Sequence, residues 1–303
     1  MKTSLEHLPE TKRRELSRAV EILFAEFEAA IAGGQSEAKR QGQILKVILF
    51  GSYARGDWVD DPVGGYVSDY DLLVVVNHET LTDVLDYWSK AEEHLLREYQ
   101  VTHKLTAPVN FIAHSLTDLN KRLKRGQYFF SDIVRDGVVL YELPGHPLER
   151  PKKLKPAEAL KEAQGYFDEW FPSADYARTL AGYSVKDEQP KFAAFNLHHA
   201  TERLYHCVLL VLTLYSPKSH KLNFLRSQCE QLDGHLAAAW PRATKFEQRC
   251  FELLRRAYVD ARYSPHYKIT ADELAWLGER VTNLQALVYK ICKAHLTQLA
   301  GEP

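Results

Sequence analysis

The pattern of hydrophobic and polar positions changes character halfway along the chain. In the first half, short apolar runs of strand length alternate with segments in which apolar residues recur at helical spacing. This alternation predicts an α+β domain built around a small mixed sheet. The predicted strands cover residues 44–50, 69–76, 109–113 and 138–141, and the predicted helices cover residues 9–31, 81–99 and 116–126.

A proline-rich, basic segment at residues 145–156 separates the two halves. After it the strand patterns stop, and the remaining apolar residues follow helical spacing. We therefore predict two domains, an α+β domain over 1–145 and an all-α helical bundle over 157–303. The predicted helices of the bundle cover residues 157–170, 173–183, 190–215, 221–233, 244–262 and 270–299.

The composition is that of an ordinary globular protein, with 45% apolar residues, 26% charged residues and a net charge of −1. A nearly neutral chain has no long-range attraction for nucleic acid or anionic membranes, so neither is an expected partner, although binding of RNA stays open. The longest apolar stretch is far shorter than the roughly 20 residues that span a bilayer. The four cysteines form no C-x-x-C pair, and the first ten residues lack a signal-peptide core. These features predict a soluble, cytoplasmic protein.

Two aspartates open the second apolar run. Asp69 and Asp71 are separated by one residue, and alternate residues of a strand point to one face, so we expect their carboxyl groups side by side. Like charges in one place need neutralising, which a hard divalent cation such as Mg²⁺ or Mn²⁺ does through oxygen ligands. The same ion keeps coordination positions open for substrate phosphates.

A glycine and a serine close the first apolar run. Gly51 would let the backbone approach a ligand, and Ser52 adds a hydroxyl donor beside the free N–H groups of a helix start. Arg55 adds a fixed positive charge that can contact phosphate oxygens. With Asp69 and Asp71, these residues predict a clamp for a metal ion and a triphosphate, the equipment of phosphoryl or nucleotidyl transfer.

Over residues 40–142, this combination of Gly-Ser and Asp-x-Asp resembles the polymerase-β nucleotidyltransferase superfamily, in its minimal and kanamycin-nucleotidyltransferase-like branch. The resemblance implies transfer of a nucleoside monophosphate from an NTP, with Mg²⁺, to a hydroxyl group of a small molecule or a protein. By the same resemblance, Ser52 would hold phosphate, and Asp69 and Asp71 would hold the metal.

The chain departs from this pattern in two places. The gap between Ser52 and Asp69 is long, and residues 58–67 look like an inserted loop. The family also places a third carboxylate on the next strand, where this chain has Asn110. An amide oxygen can bind a metal but cannot act as a base, so the resemblance implies an activity that is weakened, altered or lost.

The second half resembles HEPN domains over roughly residues 157–300. The resemblance rests on the helix that carries His199, Glu202 and His206 on one face, on Ser219-His-Lys-Leu222, and on Ala261-Arg-Tyr263. We expect the three polar groups of the helix face to be surface or satisfied core groups, with metal binding as the alternative.

Some HEPN families are ribonucleases that use an arginine and a histidine with four to six residues between them. Here Arg262 and His266 have three residues between them, one of which is Pro265, so we favour a structural turn over a nuclease site. The helical domain is then expected to help bind the nucleotide or the acceptor, or to form a homodimer. The resemblance also makes Tyr263 and Tyr267 candidate acceptors of the nucleotide.

Three functions follow from these observations. The first is a Mg²⁺-dependent nucleotidyltransferase. The second is a degenerate, nucleotide-binding regulatory protein without turnover, which Asn110 favours. The third is a single-chain relative of toxin–antitoxin pairs with ribonuclease activity in the helical half, which only Arg262 and His266 support.

Overall fold

A computed structural model describes residues 1–61 and 66–301 of the chain. The chain divides into two compact units, Met1–Lys153 and Leu154–Pro303. The first is an α+β unit with a small mixed sheet and the second is helical, which confirms the predicted fold class. Four residues of the predicted inserted loop, 62–65, lie outside the described residues.

The first unit contains two sheets and seven α-helices among its described residues. Its strands are β1 (Ile44–Phe50), β2 (Asp60–Asp61), β3 (Tyr66–Val67), β4 (Tyr70–Val76), β5 (Val109–Ser115) and β6 (Val138–Glu142). Its helices are α1 (Glu10–Ile31), α2 (Glu37–Arg40), α3 (Gly51–Arg55), α4 (Val84–Tyr87), α5 (Ser89–Gln100), α6 (Leu116–Arg125) and α7 (Tyr128–Asp136).

The larger sheet has the strand order β5-β4-β1-β6. Strand β1 is antiparallel to both of its neighbours, whereas β4 and β5 are parallel. The apolar sides of helices α1 and α5 pack against one face of this sheet. In this core, Phe27 stacks on Trp88 with ring centroids 5.0 Å apart. Strands β1 and β4 are buried at every position, so the sheet forms a rigid base for residues at its edge.

Two helix predictions for this unit need correction. The single helix expected over 81–99 is interrupted, because the Asp83 side chain accepts a hydrogen bond from the Asp86 backbone N–H and caps a new helix, α4, which Trp88 separates from α5. Helix α7 was not predicted. Gly126 ends α6 in the left-handed conformation, and the apolar residues that follow begin α7 two residues later.

The second unit is built around α9 (Pro190–Thr213), whose residues are mostly buried. Thr270 and Glu273 form the predicted capping box at the start of the last helix. All four cysteines are buried and carry free thiols, in agreement with their predicted role as small apolar residues. The other helices are α8 (Pro156–Lys186), α10 (Leu222–Leu232), α11 (Lys245–Tyr263) and α12 (Ala271–Ala300).

The helices expected over 157–170 and 173–183 form one continuous helix, α8, that passes through Pro172. Proline lacks the N–H that would bond to the carbonyl four residues earlier, so it usually ends a helix. Here the turns on both sides of Pro172 are anchored by buried residues, Phe167 before it and Ala174 after it, which offsets the lost hydrogen bond. Among the described residues, no helix combines the length and the apolar character needed to cross a membrane.

Candidate functional site

The two aspartates of the Asp-x-Asp pattern lie at the start of β4. Asp69 is 8% exposed and Asp71 is 0% exposed. Between them, Tyr70 points to the opposite face of the sheet, where its hydroxyl contacts α1. Because residues on either side of Tyr70 point away from it, the carboxyl groups of Asp69 and Asp71 share the other face.

Asn110 lies beside both aspartates. Its position on β5 pairs with Asp71 on the parallel strand β4, and its Nδ2 donates a hydrogen bond to Oδ2 of Asp69 at 2.8 Å. If Asn110 corresponds to the third carboxylate of the family, it has to lie close to Asp69 and Asp71, as it does. The amide therefore occupies the position at the neighbouring strand where the resemblance implied a carboxylate, and it contributes a hydrogen-bond donor in place of a third negative charge.

The Gly-Ser turn is next to the same aspartates. Phe50, the last residue of β1, pairs in register with Asp71, so Gly51 and Ser52 follow directly where β1 ends. Gly51 has φ = +74°, a left-handed conformation that a side chain would strain, which explains the glycine at this turn. Ser52 is only 5% exposed, and its Oγ has no hydrogen-bond partner among the described residues.

Arg55 is the last residue of the short helix α3, which Gly56 ends in the left-handed conformation. Its Nε donates to Oδ2 of Asp57 at 3.1 Å. The positive charge of Arg55 also acts on helix α7, where it helps to lower the pKa of Asp136 after the larger contribution of Arg135. Arg55 and Ser52 are both carried by α3, so the positive charge and the hydroxyl lie on one short helix.

The donor set at this edge of the sheet fits a hard divalent cation. Asp69, Asp71 and the amide oxygen of Asn110 offer oxygen ligands, which Mg²⁺ and Mn²⁺ prefer. Among the described residues, no group of three or more histidine, cysteine, aspartate or glutamate side chains is arranged to hold a metal. A cation held by only two carboxyl groups would keep positions for phosphate oxygens, and the buried hydroxyl of Ser52 would then gain an acceptor.

The inserted loop begins and ends close to the aspartates. The backbone N–H of Ser68 donates to the carbonyl of Val59 at 2.8 Å, and the Oγ of Ser68 accepts from the N–H of Val59 at 2.9 Å. Strands β2 and β3 continue this pairing outward as a small antiparallel hairpin. The insertion is therefore closed at its base, immediately before Asp69.

Sequence analysis missed a buried polar group behind the site. Glu15 lies on the apolar side of α1, is 7% exposed, and accepts a hydrogen bond from the Tyr70 hydroxyl at 2.9 Å. A signal was present in the sequence, because Glu15 falls at helical spacing with the buried Ala19 and Ile22. A charged residue at such a position has a specific partner when it is buried.

The residues proposed for a HEPN ribonuclease site are not placed on one helix. Arg262 is in the last turn of α11, where its Nε donates to the carbonyl of Tyr258 at 2.6 Å and its guanidinium lies 4.5 Å from the centre of that ring. His266 follows the end of α11, and its backbone N–H donates to Oγ of Ser264. Of the two candidate acceptor tyrosines, Tyr263 is 74% exposed, whereas Tyr267 is buried.

The polar face of α9 forms a cluster around Glu202. The buried Glu202 carboxylate meets Nδ1 of His220 at 2.9 Å, and Nε2 of His198 and of His206 at 3.6 and 3.7 Å. Burial alone would raise the pKa of Glu202, but these imidazole contacts outweigh it and hold the pKa below its usual range. His199 instead faces Arg203. Of the three polar groups on this face, Glu202 and His206 belong to the cluster, together with His198 and His220, which the spacing did not identify.

Comparison with known proteins agrees with this architecture. The polymerase beta nucleotidyltransferase family model matches residues 35–143, and the HEPN domain model matches residues 167–293. The chain therefore belongs to the polymerase-β nucleotidyltransferase family and carries a HEPN domain in its second half. A protein from Methanocaldococcus jannaschii, named as a protein adenylyltransferase, is 34% identical over 105 residues, which cover 35% of this chain and 86% of that protein.

Proposed function

We propose that this protein is a Mg²⁺-dependent adenylyltransferase that moves AMP from ATP to a hydroxyl group, with a protein as the favoured acceptor. The observation that supports this proposal best is the grouping of Asp69 and Asp71 beside the buried hydroxyl of Ser52, which has no hydrogen-bond partner among the described residues. The name of the Methanocaldococcus jannaschii relative favours ATP as the donor and a protein as the acceptor.

The proposed roles follow from the chemistry of each group. Asp69 and Asp71 would hold the metal ion, which would polarise the phosphates. Ser52 donates a hydrogen bond to a phosphate oxygen, and Arg55 adds positive charge on the same helix, α3. The acceptor oxygen attacks the α-phosphorus, and the bond to the leaving pyrophosphate breaks.

Asn110 sets a limit on this reaction. A carboxylate at this position could take the proton of the acceptor hydroxyl, but an amide cannot. Proton removal therefore falls to another group or to solvent, and we expect slow transfer. The same observation supports a second candidate function, a protein that binds ATP with its metal and regulates a partner without turnover.

The test is incubation of the purified protein with each α-labelled NTP and Mg²⁺, with and without cell extract. We expect label from ATP on a protein band and release of pyrophosphate. The variant Asp71→Asn should abolish both, whereas the same chemical change at the exposed Asp86 should leave them intact. Metal-dependent ATP binding without label transfer would favour the regulatory function instead.

The protein itself supplies one candidate acceptor. Tyr263 is exposed and presents its hydroxyl to solvent, whereas the Tyr267 hydroxyl donates to the carbonyl of Leu253 at 2.9 Å. Mass spectrometry after incubation with ATP and Mg²⁺ would reveal self-modification as a tyrosine that carries one AMP. We expect any such adduct on Tyr263 and expect Tyr263→Phe to remove it, while a modified Tyr267 would contradict this assignment.

A further inference from the structure

Tyr70 connects the proposed metal site to the opposite side of the sheet. It stands between Asp69 and Asp71 in the chain, and its ring packs on Tyr53 with centroids 4.3 Å apart. Tyr53 in turn follows Ser52 on α3. A movement of the Tyr70 ring would therefore be transmitted to both parts of the site, the carboxyl groups and the serine.

The Tyr70 hydroxyl is held by Glu15. It donates to Oε2 of Glu15 at 2.9 Å, and neither residue is more than slightly exposed. A hydrogen bond between a hydroxyl and a charged acceptor in a buried place is stronger than a neutral one.

Glu15 also holds the segment that leads into β5. Its Oε2 accepts a hydrogen bond from the Thr106 N–H at 3.0 Å, and its Oε1 accepts from the Thr106 hydroxyl at 2.8 Å. Two residues later, the carbonyl of Pro108 accepts from the Tyr70 N–H at 2.8 Å. One carboxylate thus fixes the starts of both strands that carry Asp69, Asp71 and Asn110.

Lys12 completes the group on α1. Its Nζ donates to the Thr106 hydroxyl at 2.7 Å and forms an ion pair with Asp60 of the inserted hairpin at 3.1 Å. Burial of two charged side chains is costly, and apolar residues of similar size often stabilise a core better. Stability of the fold alone is therefore a weak reason for this arrangement, whereas precise placement of neighbouring groups is a stronger one.

We propose that Glu15 is a positioning residue of the nucleotidyltransferase site, which acts through Tyr70 and Thr106 to fix the separation of Asp69, Asp71 and Asn110. This inference rests on the proposed function, because it assumes that the two aspartates bind a divalent cation. Glu15 itself contacts neither nucleotide nor metal, and its influence passes through the starts of β4 and β5.

The experiment compares metal binding in Tyr70→Phe and Glu15→Gln with that of the wild-type chain. Tyr70→Phe keeps the ring and removes one hydroxyl, and Glu15→Gln keeps the shape and removes the charge. Calorimetry with Mn²⁺ and ATP should show a metal affinity roughly 10-fold weaker in each variant, the usual scale for outer-sphere partners of metal ligands. At saturating Mn²⁺, the affinity for ATP should return to the wild-type value.

Glu98→Gln serves as the matched control. Glu98 is buried on α5 and pairs with Arg18, which lies one turn after Glu15 on α1. Glu98→Gln should lower the melting temperature as Glu15→Gln does, because each removes a buried charge that holds α1 in place. Unlike Glu15→Gln, it should leave the metal affinity unchanged. The double variant of Glu15 and Tyr70 should weaken metal binding no further than Glu15→Gln alone, since both changes break the same connection.

Three results would overturn the inference, and they differ in whether the proposed function fails as well. If wild type binds Mn²⁺ and ATP while Tyr70→Phe and Glu15→Gln bind them equally well, the positioning role is wrong and the proposed function stands. If the folded wild-type chain shows no metal-dependent ATP binding, both fail. An equal loss of metal affinity in Glu98→Gln would assign the effect to general loosening of α1 and would also refute the specific role.

Discussion

Each unit of this protein buries a polar cluster, and the two clusters are arranged in opposite ways. In the helical unit, one carboxylate, that of Glu202, is surrounded by imidazoles from His198, His206 and His220. In the α+β unit, two carboxyl groups, those of Asp69 and Asp71, share one face beside an amide and a buried serine hydroxyl. In the first cluster imidazole groups contact a single carboxylate, whereas in the second two carboxyl groups lie side by side.

The difference supports the ligand site proposed for the α+β unit. A buried carboxylate with nitrogen donors around it is satisfied within the protein, so such a cluster contributes to stability. Two adjacent carboxyl groups are stabilised by a bound cation. The Ser52 hydroxyl, which has no hydrogen-bond partner among the described residues, would gain one from a bound phosphate. We therefore expect substitutions in the Glu202 cluster to change stability and substitutions around Asp69 to change binding.

The largest expected separation of these effects is at Ser52. Ser52→Ala removes a hydroxyl that has no hydrogen-bond partner among the described residues, so the melting temperature should stay the same or rise. Transfer or ATP binding should nevertheless fall by roughly 100-fold, since the lost donor stabilises developing charge on phosphate. Thermal unfolding and ATP titration of the same sample measure both quantities. A fall in melting temperature with unchanged binding would reverse our interpretation.

Glu202→Gln should show the opposite behaviour. Loss of the charged acceptor should lower the free energy of unfolding by about 2 kcal/mol, the usual scale for hydrogen bonds to a charged group. Nucleotide transfer per folded molecule should stay at the wild-type level. Denaturant unfolding and a label-transfer assay at low temperature provide the two measurements. Loss of transfer in a fully folded variant would give the helical cluster a role that we do not assign to it.

Asn110→Asp should make the Asp69 cluster differ more from the Glu202 cluster, because it adds negative charge to the first and leaves the second unchanged. A third carboxyl group beside Asp69 raises the negative charge of the site and should tighten Mn²⁺ binding by roughly 10-fold. It also supplies a base, so the transfer rate should rise. The expected cost is lower stability without metal, because the hydrogen bond from Asn110 to Asp69 is replaced by repulsion between like charges. Asn120→Asp, an equal change of charge on α6, is the control.

A smaller effect concerns Asp118 of the α+β unit. Like Glu202, it is a carboxyl group whose pKa neighbouring basic side chains lower against the effect of burial. Burial alone would raise the pKa of Asp118, but hydrogen bonds with His114 and Arg122 outweigh it and lower the pKa to about 2. A lowered pKa stabilises the folded state above the usual value of 3.8, and this contribution is lost as the pH falls toward 2. Asp118→Asn should therefore flatten the pH dependence of unfolding in this window.

The smallest expected effect is at His266. Because His266 lies beyond the end of α11 while Arg262 lies on it, we expect no RNA cleavage by the wild-type chain and no change in His266→Ala. Incubation with a labelled single-stranded RNA tests this directly. Cleavage that is lost in His266→Ala and retained in Asp71→Asn would establish a nuclease in the helical unit.

The sequence was most informative where one local rule decides the structure. The alternation of Asp69, Tyr70 and Asp71 predicted a shared face for the two carboxyl groups, and the structure has it. The apolar runs likewise predicted the four strands of the larger sheet, of which β1 and β4 are buried at every position. These features depend on neighbours in the chain and need no knowledge of the tertiary fold.

Features that depend on distant residues were not predicted. Glu15 contacts Tyr70 and Thr106, which are 55 and 91 residues away, and no spacing rule connects such positions. The partners of Glu202 include His220, which lies on the other side of a turn from α9. The predicted break in the helix at Pro172 was wrong for a similar reason, since packing of the flanking turns outweighs the local tendency of proline to end a helix.

The closed base of the inserted hairpin has a consequence for how this family can diversify. Because Val59 and Ser68 are joined by two hydrogen bonds, the two ends of the insertion are held together next to Asp69. We therefore expect residues beyond that point, apart from Asp60 with its ion pair to Lys12, to tolerate exchange or a change of length without altering the path into Asp69. Evolution or a protein engineer could therefore graft a new recognition element at this position while the chemistry beneath it stays constant.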